Sequence, residues 1–60
     1  LNNTNIMETN DRFEFYLDNS GKWRWRRYSS NGRIVGSSSQ GYASKQGCIE
    51  NAKRNGYKGD

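Results

Sequence analysis

Lys22-Trp23-Arg24-Trp25-Arg26-Arg27-Tyr28 holds both tryptophans of the chain and half of its arginines in seven residues. Ring and charge alternate with period 2, so an extended strand lays Trp23 and Trp25 on one face and Arg24, Arg26 and Tyr28 on the other. One face is fit to build a core, and the other meets water or a partner.

Upstream, Arg12-Phe13-Glu14-Phe15-Tyr16-Leu17 alternates in the same way. Phe13, Phe15 and Leu17 share one side; Arg12, Glu14 and Tyr16 share the other. The link Asp18-Asn19-Ser20-Gly21 is turn chemistry, with Gly21 able to take the positive φ of a three-residue hairpin loop. Loop parity fixes the register. An odd loop pairs Leu17 with Trp23, Phe15 with Trp25, Glu14 with Arg26 and Tyr16 with Arg24, whereas an even loop sets Leu17 beside Arg24.

Downstream, Asn31-Gly32 predicts a two-residue type I′ turn. Counting outward pairs Ser29 with Ile34, Tyr28 with Val35, Arg27 with Gly36 and Trp25 with Ser38, which gives a third strand over Arg33 to Ser38. Gly36 and Ser38 are small where they flank the Trp25 indole. Beyond Ser37-Ser38-Ser39-Gln40-Gly41, Ser44 reads as an N-cap, with Ala43 and Cys48 forming the staple. The helix then runs from Lys45 to Asn55 and stops at Gly56. Its narrow stripe of Cys48, Ile49 and Ala52, with Gly47 beside it, suits large sheet rings opposite small helix residues. The expected fold is α+β: a three-stranded antiparallel meander followed by one helix packed on one face (β-β-β-α). The expected core is Phe13, Phe15, Leu17, Trp23, Trp25, Ile34, Cys48, Ile49 and Ala52, and Tyr57 is placed to tuck back against it. The domain spans 11–57, with a loosely attached tail over 1–10, where Asn and Thr dominate, and a short C-terminal tail over 58–60.

Sixty residues at 30% hydrophobic and 13% aromatic content make one small domain whose core rests on a few rings. Ten Lys and Arg against six Asp and Glu give a net charge of +4, so an acidic partner is an open reading. A single Cys, Cys48, forms no intrachain disulfide and points to a reducing, cytoplasmic setting. No run is apolar enough to cross a membrane, and no motif marks a small-molecule ligand.

With no His and one Cys, the chain has no histidine base, no Cys/His pair and no metal-ligand cluster, so neither catalysis nor a cofactor is expected. Cys48 reads as a small buried hydrophobe, and Glu14 with Arg26 as a cross-strand ion pair. The candidate partner or nucleic-acid face is Arg12, Tyr16, Arg24, Arg26, Tyr28 and Arg33. Arginine interleaved with tyrosine suits phosphate contact and base stacking, while a solvated sheet face or a self-association surface is the plainer reading.

Phe13-Glu14-Phe15-Tyr16, Gly21-Lys22-Trp23-Arg24-Trp25-Arg26, Asn31-Gly32 and Gly41-Tyr42-Ala43-Ser44-Lys45, in that order, resemble the YegP-like family of small domains of unknown function. The resemblance covers Arg12 to about Arg54. It implies the same three-stranded sheet and helix, used as tandem copies or as self-associating single copies, and no established activity. Arg27 departs from that pattern, which usually carries an aliphatic residue here; either its stem packs while the guanidinium snorkels out, or the core is thinner at that edge. A looser likeness, in fold only, is to sheet-plus-helix DNA-binding domains. The expected function is a non-catalytic binding or self-association module, with a homodimer or a second copy of the domain as partner. The alternative is a DNA- or RNA-binding domain using the arginine face.

The dimer follows from size: so few apolar side chains leave burial and chain entropy nearly balanced. Two open sheet edges, with Tyr16, Tyr28 and Val35 on the far face, offer area for a second copy.

Overall fold

A computed structural model describes residues 11–59; the tail read over 1–10 and the terminal Asp60 lie outside the described residues. Strands β1 (Arg12–Leu17), β2 (Trp23–Tyr28) and β3 (Ile34–Ser37) form one antiparallel sheet in the order β1-β2-β3, followed by helix α1 (Lys45–Arg54). This is the β-β-β-α arrangement the alternation predicts.

The β1–β2 register is Arg12 with Tyr28, Phe13 with Arg27, Glu14 with Arg26, Phe15 with Trp25, Tyr16 with Arg24 and Leu17 with Trp23. The loop Asn19 to Gly21 closes with Asp18 N–H donating to the Lys22 carbonyl at 2.8 Å, and Gly21 stands at φ 79°. It is the odd loop that both alternations require.

The second hairpin repeats this construction and corrects the two-residue turn. Ser29 N–H donates to the Arg33 carbonyl at 2.8 Å and Gly32 N–H to the Ser29 carbonyl at 2.9 Å. Only Gly32 in this loop has positive φ, at 86°, so the loop is Ser30-Asn31-Gly32, a turn closed by one left-handed glycine rather than type I′. The extra loop residue pairs Tyr28 with Ile34, and a bulge beside Arg27 and Tyr28 then restores Arg27 to Gly36. Val35 is the residue left over.

Helix α1 starts as expected, with the Gly47 N–H bonded to Ser44 Oγ at 3.1 Å. It ends one residue earlier than predicted, at Arg54. Gly56 N–H donates to the Lys53 carbonyl at 3.3 Å, and Tyr57 N–H to the Ala52 carbonyl at 3.0 Å. That Schellman closure, with Gly56 at φ 106°, turns the chain back over the sheet. Tyr57 lands on Phe13 and Phe15, with ring centroids 5.2 and 5.1 Å apart.

Trp25, Cys48 and Ala52 are the buried apolar centre, with Phe13, Phe15, Trp23, Tyr42 and Tyr57 packed around it. Gly36 lies beside the Trp25 ring, where a Cβ would sit at ordinary contact distance, 3.8 Å from Cζ3. Two expected core residues are exposed, Leu17 at 55% and Ile34 at 55%. The helix rides mainly over β2, which leaves Leu17, at the hairpin end of β1, beyond its cover. Ile34 is exposed because the three-residue loop moves it opposite Tyr28, off the helix side. Ile49 is half-buried and sits outside the central cluster.

The helix entry also differs. Ala43 is exposed, and Tyr42 takes its place against the core, bridged to Trp23 by backbone hydrogen bonds of 2.7 and 2.8 Å. Gly41 makes this approach possible, since a Cβ there would stand 2.5 Å from Lys22 Cβ.

Candidate interaction surfaces

The side of the sheet away from the helix carries Arg12, Glu14, Tyr16, Arg24, Arg26 and Tyr28, set there by strand alternation. Two guanidinium groups lie over tyrosine rings: Arg12 Cζ is 4.5 Å from the Tyr28 centroid, and Arg26 Cζ is 4.3 Å from that of Tyr16. Both geometries are within cation–π range. Glu14 joins the two stacks. Its Oε1 accepts from the Tyr28 hydroxyl at 3.1 Å and lies 3.8 Å from Arg26 Nη1. The Arg26 guanidinium is held above its ordinary pKa, first by hydrogen bonding to Tyr28 and then by the charge of Tyr16.

Arg33 does not join this face. It closes the second loop opposite Ser29, and alternation from Tyr28 puts that pair on the other side of the pleat. The one-residue change of loop length that moves Ile34 outward therefore also removes Arg33 from the predicted set.

Arg24 is held at the hairpin end, with Nε 2.6 Å from Asp18 Oδ2. The other Asp18 oxygen accepts from the Ser20 and Lys22 amides at 2.8 and 3.0 Å. These bonds, led by the Lys22 amide and followed by Arg24, hold the Asp18 carboxyl below the usual carboxylate range. Around them Tyr16, Leu17, Asn19, Ser20, Arg24 and Arg26 line an open hollow of about 570 Å³.

A second surface is the free edge of β3. Among the described residues, no strand flanks β3 on the side away from β2, and Ile34 and Val35 are 55% and 52% exposed on it.

Arg27 is tied down on the helix side. Its Nε donates to Asp11 Oδ2 at 2.9 Å and its Nη1 to the Asn55 carbonyl at 3.1 Å. The guanidinium thereby ends at the carbonyl end of α1, where a cation is favoured, with its Cζ 5.4 Å from the Phe13 ring centroid and its stem beside Gly36. It is a structural tether between β2, the helix end and Asp11.

The family model described as "Domain of unknown function (DUF1508)" matches residues 18–58, a span holding β2, β3, α1 and the Tyr57 return. The chain belongs to the DUF1508 family. This is the YegP-like group that the sequence resembles. A UPF0339 protein of Methanosarcina acetivorans is 51% identical to this DUF1508 domain over 39 residues, covering 65% of this chain and 66% of the relative. A protein from Haloferax volcanii, solved in solution by NMR, superposes with a TM-score of 0.67 at 42% identity, over 78% of this chain and 83% of that one.

Three features of this DUF1508 domain escape sequence reasoning. Asn51 satisfies the Trp25 indole at 2.8 Å; a polar residue one turn from Cys48 was the available signal. Asp18 acts as cap and ion-pair partner at once, and Tyr42 seals the helix entry. Among the described residues, no group of His, Cys, Asp or Glu is placed to hold a metal ion, and no helix is long and apolar enough to cross a membrane.

Proposed function

We propose that this domain is a non-catalytic interaction module whose partner is a second copy of the same fold, engaged along the free edge of β3. The observation that carries the reading is the pair Ile34 and Val35, each more than half exposed on an edge strand. An open apolar edge is a template for strand addition, and a two-fold pairing of β3 with β3 satisfies both copies at once. The arginine–tyrosine face is a weaker place for such a partner, because Tyr16 and Tyr28 are already half-covered by Arg26 and Arg12. Size supports the same reading. The buried apolar centre of the described residues is Trp25, Cys48 and Ala52, and so small a core gains from added area. A cytoplasmic setting goes with it, supported by the free, buried thiol of Cys48.

Sedimentation of the full chain across concentration tests the proposal. The mass is expected to rise toward twice that of one chain, and Val35→Lys to hold it near one chain with the fold retained. A mass of one chain throughout would overturn the reading.

A further inference from the structure

The described residues hold two Asn-Gly steps, Asn31-Gly32 in the second hairpin loop and Asn55-Gly56 at the end of α1. We infer that Asn31 is a site of spontaneous covalent modification, passing through a succinimide to aspartate and isoaspartate, and that the fold withholds Asn55 from the same chemistry. The inference uses neither self-association nor the arginine–tyrosine face.

The first step is intramolecular. The backbone nitrogen of Gly32 bonds to the Asn31 side-chain carbon Cγ, the Cγ–Nδ2 bond breaks, and the proton leaving the Gly32 nitrogen departs with Nδ2 as ammonia. Water then opens the cyclic imide at either of its carbonyls. One opening leaves an aspartate at this position. The other leaves isoaspartate, whose backbone runs through the former side chain and is longer by one carbon.

The loop supplies what the step needs. Asn31 and Gly32 are exposed, and a Cβ built on Gly32 would meet nothing within 4 Å, so the attacking nitrogen carries no flanking side chain and has open space around it. The Ser29 hydroxyl donates to Asn31 Oδ1, the atom on which negative charge develops as the nitrogen adds, and a fixed donor there stabilises the adduct. Ser29 Oγ is itself held by the Arg33 N–H at 3.3 Å. One bond opposes the step, since Gly32 N–H donates to the Ser29 carbonyl at 2.9 Å. Breaking it opens only an exposed loop, which is a local fluctuation rather than unfolding.

Asn55 is placed differently. Its Nδ2 donates to the Asn51 carbonyl at 2.9 Å, its own N–H to the Ala52 carbonyl at 2.8 Å, and Gly56 N–H to the Lys53 carbonyl at 3.3 Å. The Asn55 carbonyl accepts from Arg27 Nη1 at 3.1 Å, and a Cβ on Gly56 would stand 3.1 Å from that same nitrogen. Attack at Asn55 therefore requires the helix end to unwind and Tyr57 to leave Phe13 and Phe15.

The test is incubation of the full chain in neutral buffer, folded and in guanidinium chloride, followed by trypsin digestion and mass spectrometry. Cleavage after Arg27, Arg33, Arg54 and Lys58 puts the two steps on separate peptides, 28–33 and 55–58. In the folded chain Asn31 should convert at least about tenfold faster than Asn55, and in denaturant the two rates should converge to within about twofold. Conversion at Asn31 should accelerate as pH rises, because the deprotonated nitrogen is the nucleophile. Ser29→Ala should slow it about fivefold or more, and Ser29→Thr, which keeps the hydroxyl, should restore it; near-UV circular dichroism confirms that both variants are folded. The inference is overturned by equal rates at the two sites in the folded chain, by a rate ratio unchanged on denaturation, or by a folded Ser29→Ala variant that converts as fast as the unaltered chain.

Discussion

Trp25 donates its indole N–H to Asn51 Oδ1 at 2.8 Å, joining the centre of the sheet to the middle of the helix. Trp25 is the largest member of the buried centre and carries a polar atom into it, so the bond determines whether that ring can be buried without loss. Replacing Asn51 with Ala should leave the indole unpaired and cost about 1–3 kcal/mol. Trp25→Ala should cost about 3–5 kcal/mol, comparable to the whole stability of a domain this size. Urea melts of the two variants check both, and a Trp25→Ala melt near wild type would contradict the described core.

Cys48 is fully buried between the helix and the sheet, and burial pushes its thiol above the ordinary value. The thiol should react with a disulfide reagent such as DTNB only as the domain opens. Its labelling rate in native buffer should track global unfolding as denaturant is added. Rapid labelling of the folded chain would show the helix lifting locally.

Asp18 gives the domain an acid limit. Its folded pKa is depressed, chiefly by the Lys22 amide and then by Arg24, so its contribution is fully present above the ordinary carboxylate range. That contribution is lost as pH falls through the depressed value. Thermal melts from neutral pH downward should show stability falling in this acid window, and Asp18→Asn should make the fall shallower. An unchanged acid limb in Asp18→Asn would remove Asp18 from the account.

Gly41 is the most closely packed of the described glycines, with its absent Cβ 2.5 Å from Lys22 Cβ. Gly41→Ala must displace the chain and loosen the Trp23–Tyr42 bridge, at an expected cost of about 1–3 kcal/mol. Amide exchange at Trp23 and Tyr42 reads the effect directly: both should exchange faster in the variant.

Sequence alternation carried the first hairpin because two independent patterns, Phe13-x-Phe15 and Trp23-x-Trp25, agree on one loop parity. The second hairpin had no such check. Ile34-Val35-Gly36-Ser37 does not alternate, and Asn-Gly fits either a two-residue turn or the last two positions of a three-residue one. The longer loop moved Ile34 and Arg33 to the opposite sides from those expected, while the bulge at Val35 preserved the Arg27–Gly36 pair. The arginine–tyrosine face was legible from strand period alone. The Glu14–Arg26 pair was legible as well, from the hairpin register; the Asp18 bond to Arg24 on that face and the Asn51 bond to Trp25 on the helix side were not, because they depend on side-chain geometry that period does not encode.

The claim that a second copy engages the β3 edge is tested most directly by isotope-filtered NOE spectroscopy on a mixture of labelled and unlabelled chains at a concentration where the mass has doubled. The account predicts intermolecular contacts from the methyl groups of Ile34 and Val35 and from the β3 backbone. Intermolecular contacts arising instead from Tyr16, Tyr28 and the arginine face, with none from β3, would contradict it.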